Sequence, residues 1–203
     1  MFFSFDGIDG AGKSTQMGLF CGWLGERGQS VVACRDPGST PLGDAVRSLL
    51  LDRSDLAINR RAEAFLYMAA RAQLVDQVIR PALDRGETVV CDRYLLANVV
   101  YQGHAGGLDV DELWRVGQLA TGGLEPDLTF VLDIRPEVAA KRIERPLDRM
   151  ESQGADFRRR LREGFRVEAS RRPDKILLID ADRPIDVIQS DIHRAAERLD
   201  LGR

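Results

Sequence analysis

Apolar residues fall in five short, nearly continuous runs, separated by longer stretches with helical spacing. The runs are 2–6 (Phe-Phe-Ser-Phe-Asp), 30–35, 88–91, 128–133 and 175–180. Strands buried on both faces read this way, without the alternation of a half-solvated sheet. Helices are expected near 13–26, 42–51, 60–85, 109–121, 136–144, 155–171 and 184–199. Met17, Phe20, Cys21 and Leu24 set the apolar stripe of the first. Gly28 and Gly86 stand where two helices must stop before a strand. Asp109 and Glu112 have the spacing of a capping box. Strand and helix alternate throughout, so the fold class expected is α/β, a five-stranded parallel sheet flanked by helices. No repeat, low-complexity tract or linker interrupts the 203 residues, so 1–203 is expected to form a single domain. Ligands of such a sheet bind beyond the carboxyl ends of its strands. That selects 6–14, 35–40, 92–94 and the region after Asp133.

Composition narrows the function classes. The chain is 44% hydrophobic and 30% charged with a net charge of −3, which describes a soluble globular protein. It speaks against a general binder of nucleic acid or membrane surfaces. Between Lys141 and Arg172 there are eleven Lys/Arg against six Asp/Glu. That segment suits a polyanionic ligand such as ATP, although most of its arginines also fit a solvated helix face. Cys21, Cys34 and Cys91 lack C-x-x-C spacing, and two of them fall in expected strands. Unpaired buried thiols suit a reducing cytosol, so a cytoplasmic location is expected. The opening Met-Phe-Phe-Ser-Phe has no basic start and is too short for a signal peptide. No run approaches the roughly 18 apolar residues of a membrane span.

Chemistry concentrates between the first run and the first helix. Residues 7–14 read Gly-Ile-Asp-Gly-Ala-Gly-Lys-Ser, a full G-x-x-x-x-G-K-[ST] match. Backbone N–H groups of such a loop cradle nucleotide phosphates, the lysine reaches the β/γ-phosphates, and the serine hydroxyl sits on Mg²⁺. The helix N-terminus adds partial positive charge. The candidate nucleotide-binding residues are therefore Gly7, Ile8, Asp9, Gly10, Ala11, Gly12, Lys13, Ser14 and Thr15. The alternative is a glycine-rich turn with an incidental Lys-Ser. At the other strand ends stand Arg35-Asp36-Pro37-Gly38-Ser39-Thr40 and Asp92-Arg93-Tyr94. A carboxylate there commonly helps hold Mg²⁺, making Asp92 a candidate metal ligand with Ser14. Arg93 is placed for a forked contact to phosphate. Taken singly, each fits a surface loop equally well.

These motifs together resemble the thymidylate kinase family, P-loop enzymes that phosphorylate dTMP with ATP. The resemblance runs over nearly the whole chain. Phe5 to Thr15 is similar to the family's first motif. Arg35 to Thr40 resembles its R-E-P-G-G-T loop, with Arg47-Ser48-Leu49-Leu50-Leu51 following. Ala69-Ala70-Arg71-Ala72-Gln73-Leu74, Asp92-Arg93-Tyr94, Tyr101-Gln102-Gly103, Pro126-Asp127-Leu128-Thr129 and Leu147-Asp148-Arg149-Met150-Glu151 follow in order. The resemblance implies a P-loop NTPase fold with a small lid, a homodimer packed through helices with 60–85 a candidate surface, and ATP with Mg²⁺ as donor. It implies that Asp9 faces the acceptor sugar and the neighbouring arginine, and that Arg35 and Arg93 contact the acceptor phosphate. Tyr67 would stack on the base, Arg71 would donate to the O4 edge of thymine, and Pro37, Asn98, Tyr101 and Gln102 would complete the acceptor site. Tyr101 would disfavour a ribose hydroxyl. Read from the residues alone, Tyr67 and Arg71 fit plain helix packing with a snorkelled arginine.

Position 10 divides the family. One branch carries Arg there; this chain has Gly10, and so resembles the branch whose arginines lie in a lid after the fourth strand. The lid is expected near 144–153, with Arg142, Arg145 and Arg149 supplying charge to the transferring phosphoryl group. The chain departs from the pattern at Asp36 (usually Glu), Ser39 (usually Gly), Tyr67 (usually Phe) and Pro146, which would stiffen the lid. His104 and His193 lie outside every motif. A related nucleotide or deoxynucleoside kinase with another acceptor is the second reading, although a retained Arg93 favours a monophosphate. A non-catalytic P-loop module is the third; a GTPase N-K-x-D motif is absent.

Overall fold

The computed structural model describes residues 1–52, 55–143 and 153–200. The five strands are β1 (Phe2–Gly7), β2 (Val31–Arg35), β3 (Thr88–Asp92), β4 (Leu128–Asp133) and β5 (Ile176–Asp180). They form one parallel sheet in the order β2-β3-β1-β4-β5. The expected strands are all present, within about a residue at each end. Burial on both faces holds for the central β1, β3 and β4 but not for β2 and β5 at the edges, which are partly exposed. Phe3, Phe5, Phe20 and Phe130 form an aromatic knot behind β1, with ring centroids 5.0–5.8 Å apart, and fix the sheet against the first helix.

That helix, α1 (Lys13–Glu26), begins directly on the glycine loop. The others are α2 (Pro41–Leu51), α3 (Arg60–Leu74), α4 (Arg80–Asp84), α5 (Leu95–Asn98), α6 (Val110–Thr121), α7 (Pro136–Lys141), α8 (Ala155–Arg171) and α9 (Ile185–Asp200). Thr40, Asn59 and Asp109 cap α2, α3 and α6 by accepting backbone N–H groups. Only half of the expected capping box forms, because Glu112 turns its carboxylate to Arg115.

Two segments differ from the expected pattern. The single helix expected over 60–85 is α3 and α4 joined by a π-helical turn, Val75–Ile79. Pro81 follows that turn and cannot donate to a helical carbonyl, so a widened ladder just before it is the natural accommodation. The second difference is a whole element. Between β3 and α6 runs α5, continued by a π-helical turn Val99–His104. Its residues from Leu95 to Gly103 are buried on every side. A helix without a solvent face has no 3.6-residue polar rhythm, which is why the pattern did not show it. The segment carries Asn98, Tyr101 and Gln102.

Candidate active site

β1 ends in the loop, and the loop geometry needs its glycines. Gly10 has φ +83°, and a Cβ there would lie 2.3 Å from the Ala139 carbonyl oxygen. The uncharged position 10 is therefore a packing requirement between the loop and α7, since an arginine could not be seated on this backbone. Gly12 (φ 93°) turns the chain into α1.

Lys13 is buried and folds back onto its own loop. Its ammonium donates to the carbonyls of Gly7 (3.2 Å) and Ile8 (3.1 Å) and to Asp9 Oδ1 (3.3 Å). Burial, then the nearby Arg93, lower its pKa, while Asp9 works against them. Arg93 follows β3 with φ 67°. Its guanidinium donates to Asp9 Oδ1 (2.5 Å), the Gly7 carbonyl (3.1 Å) and the Tyr101 hydroxyl (3.1 Å). Tyr101 in turn donates to Asp9 Oδ2 (3.1 Å). Burial would raise the Asp9 pKa, yet Arg93 and Lys13 overcome it and hold the carboxyl far below the usual range.

Two cavities open on this cluster. The first, about 350 Å³, is a polar bowl lined by Lys13, Ser14, Thr15, Arg35 and Asp92. The second, about 100 Å³, is a slot lined by Asp36, Pro37, Tyr67, Arg71, Asn98 and Gln102. Asp9, Arg47 and Arg93 line both. Arg47 was missed in the sequence; it lies in a quoted motif, but nothing in α2 alone marks it as functional. Its pKa is lowered by burial, then by Arg35 and Arg93. Cations gathered closely enough to lower the Arg47 and Lys13 pKa values mark a place for an anion.

At the inner end of the slot, Arg71 is almost wholly buried. It donates to Asp36 Oδ2 (2.5 Å), Asn98 Oδ1 (3.1 Å), Met68 Sδ (3.2 Å) and the Tyr94 carbonyl (3.4 Å). The snorkelled arginine of the packing alternative is thus absent. Burial pushes the Asp36 carboxyl up, even against Arg71. Asp36 precedes a cis peptide bond to Pro37.

Asp92 Oδ1 is buried and has no hydrogen-bond partner, and the same holds for both oxygens of Asp6 at the end of β1. The Asp6 pKa rises to about 7, chiefly by burial, against Arg93 at 3.8 Å and Lys13. An unbonded carboxylate oxygen beside Ser14 fits a hard divalent cation shared with phosphate oxygens. Among the described residues no three His, Cys, Asp or Glu gather as a self-sufficient metal cage.

Of the lid candidates, Arg145 and Arg149 lie outside the described residues, as does 144–152 of the expected lid. Arg142 ends α7 and faces the β5–α9 loop. It donates to the Ala181 carbonyl at 3.4 Å and stands 4.0 Å from Asp182. Of the remaining sequence candidates, Gly7, Ile8 and Ala11 line neither cavity, Ile8 and Ala11 being part of the core, and the others line one or both.

Comparison with known proteins gives one answer. A family model described as thymidylate kinase matches residues 5–192. The chain is 42% identical over 200 residues to the thymidylate kinase of Symbiobacterium thermophilum, covering 98% of this chain and 94% of that one. It is 44% identical over 187 residues to that of Rhodopirellula baltica, covering 92% and 76%. The crystal structure of thymidylate kinase from Ehrlichia chaffeensis superposes with a TM-score of 0.79 at 27% identity, covering 97% and 98%.

Proposed function

The chain belongs to the thymidylate kinase family, and from that premise we propose how its residues divide the transfer of the ATP γ-phosphoryl group to dTMP. The carrying observation is the pair of adjoining cavities that share Asp9, Arg47 and Arg93. The glycine loop, Lys13, Ser14 and Thr15 take the donor phosphates in the bowl. The slot takes the acceptor base between Tyr67 and Arg71. The acceptor phosphate then sits at the junction, between Arg35, Arg47 and Arg93. Phosphoryl transfer asks the protein mainly to align two reactants and neutralise charge, and this arrangement supplies both.

Lys13 and Arg93 now rest on loop carbonyls and Asp9. Substrate phosphates replace those weaker acceptors with charged ones. Asp9, released in part, keeps Tyr101 and the acceptor sugar in register. Mg²⁺ neutralises charge on the donor phosphates when bound, and Ser14 and Asp92 are the residues that would hold it. Arg145 and Arg149 are assigned to the closing lid. Arg142, turned toward Ala181, would have to swing away to join them.

A homodimer is proposed across α3 and α6. Phe65 is 60% exposed there and Leu119 83%, beside an apolar hollow of about 230 Å³ lined by Ala64, Met68, Leu113 and Val116. Sedimentation of the intact chain at rising concentration checks it; a persistent monomer refutes it. Buried, unpaired Cys34 and Cys91 suit a cytoplasmic location. No described helix is long and apolar enough to cross a membrane.

The deciding experiment is a panel of acceptors with ATP: dTMP, dCMP, dGMP and thymidine. The highest kcat/KM is expected for dTMP. Equal use of dCMP, dGMP or thymidine overturns the reading.

A further inference from the structure

A carboxylate outside both cavities holds the far end of the turn that carries Tyr101. Glu168 of α8 is 0% exposed. His104 Nε2 donates to its Oε1 at 2.9 Å, Arg171 Nη1 to the same oxygen at 3.1 Å, and Trp114 Nε1 to its Oε2 at 2.9 Å. His104 is the last residue of the π-helical turn Val99–His104, and Trp114 belongs to α6. Beside this contact, Arg160 of α8 donates to the Ala105 carbonyl at 3.2 Å. A Cβ at Gly164 would lie 2.6 Å from His104 Cβ, so α8 rests directly on the end of the turn.

The turn closes with the Ala105 N–H on the Val100 carbonyl, five residues back, at 2.9 Å. A π-helical turn holds about one residue more than an α-helical one and is rarely favoured on its own. When the extra residue is expelled or passed along, the residues it passes turn by roughly 100° about the helix axis. Here both ends are tied. Asn98, just before the turn, accepts from Arg71 at 3.1 Å, and His104 closes it on Glu168. Between the ties, Tyr101 donates to Asp9 Oδ2 at 3.1 Å and Gln102 Nε2 donates to Glu63 Oε1 at 2.9 Å. The Tyr101 ring also meets the edges of Phe157 and Phe165 of α8, at centroid distances of 6.3 and 6.5 Å. In the reading above, substrate phosphates draw Arg93 from its resting acceptors and release Asp9 in part. The Tyr101 hydroxyl then loses part of its hold as the sugar arrives, whereas the tie at His104 stays the same.

We propose that Glu168 is a positioning residue, acting through His104 to keep the register of the turn and so to hold Tyr101 against the acceptor sugar. This rests on the dTMP reading, in which Tyr101 stands beside C2′ and disfavours a ribose hydroxyl. Glu168 lines neither cavity, and Trp114 shares the carboxylate from α6, outside the turn.

The test compares kcat/KM for dTMP and for ribothymidine 5′-monophosphate, with ATP, in the intact chain. His104→Phe keeps a ring at the position and leaves Glu168 with Trp114 and Arg171. It is expected to lower the deoxy/ribo ratio about tenfold, through a small displacement of Tyr101. Trp114→Phe removes a hydrogen bond of the same length from the same carboxylate, and is expected to lower Tm and leave the ratio unchanged. Glu168→Gln can accept from Trp114 and donate to a neutral His104 in its other tautomer, and is expected to keep the wild-type ratio.

An unchanged ratio in His104→Phe overturns the proposal. So does an equal fall in Trp114→Phe, which would mean a general loosening of the fold, or in Glu168→Gln. A purely structural Glu168 would change Tm in these variants and the ratio in none. Should His104→Phe not fold, His104→Asn, too short to reach Glu168, is expected to show the same fall; an unchanged ratio there overturns the proposal. A wild-type enzyme that does not prefer dTMP to dCMP, dGMP or thymidine overturns the proposed function itself, and Glu168's part falls with it. A wild type that prefers dTMP, with an unmoved ratio in the His104 variants, overturns only the part given to Glu168.

Discussion

Cations crowd one another around the phosphate bowl, whereas at the inner end of the base slot Arg71 is bound by Asp36, Asn98, Met68 and a backbone carbonyl. In the bowl, Lys13 and Arg93 rest on loop carbonyls and one shared carboxylate, Asp9. Those contacts are substitutes that a ligand's phosphates can replace. The slot's contacts are built to persist, since a base edge adds to them without displacing any. One region therefore stores its charge for chemistry, and the other spends it on the fold. Removing a cation should cost turnover in the first region and stability in the second.

The largest effect is expected at Lys13. Lys13→Ala removes charge aimed at the transferring group and leaves behind two loop carbonyls, which water can reach through the bowl, and Asp9, which keeps Arg93 and Tyr101 as partners. Turnover should fall roughly 10³-fold, with Tm shifted by only a few degrees. Undiminished kcat would break the assignment of the bowl, and a collapse of Tm would erase the contrast with the slot.

Arg71→Met is the counterpart. It strands the buried Asp36, of which Oδ1 already lacks a partner. Breaking such a pair costs about 3–5 kcal/mol, or roughly 10 °C in Tm for a chain of this size. A melt within about 2 °C of wild type would show that the slot is no more committed to the fold than the bowl.

The same contrast explains what was legible in the sequence. The bowl was almost fully readable because its parts are local: a loop of fixed spacing, then charged residues at the ends of apolar runs, which the sheet gathers on one edge. Arg35, Asp92 and Arg93 needed only the strand assignments to be placed. The slot was named through resemblance alone. Its wall is α5 and the turn after it, a segment too buried to show a helical rhythm. Asp36 and Arg71 meet across 35 positions, and Glu63 reaches Gln102 across 39. No spacing rule encodes those meetings. Arg47 was overlooked for a related reason: only the packing of α2 on α3, which sets its guanidinium against the Pro37 carbonyl, places it at both cavities. Gly10 was read as a missing charge, and the structure adds the carbonyl of Ala139 that excludes a side chain.

The smallest effect is expected beneath the bowl, at Asp6, and it turns on pH. Neither oxygen of this carboxylate is bonded, and its pKa rises from an ordinary 3.8 to about 7, mainly through burial. The folded state therefore binds a proton that the unfolded chain has already released. Asp6 contributes full stability below about pH 4 and loses it progressively as pH rises toward 7. Asp6→Asn cannot ionise and escapes that loss. Relative to wild type it should gain about 3 kcal/mol between pH 5 and pH 8, because about two pH units of that interval lie below the raised pKa, at roughly 1.4 kcal/mol per unit. Thermal or urea melts of both proteins, without nucleotide or Mg²⁺, measure the difference. Parallel stability curves would mean that Asp6 has found a partner, and with it that the bowl tolerates no unmatched charge while it waits for substrate. A widening gap would place the cost of keeping the bowl reactive on a buried carboxylate that Arg93 approaches only to 3.8 Å, whereas Asp36 in the slot is hydrogen-bonded directly by Arg71.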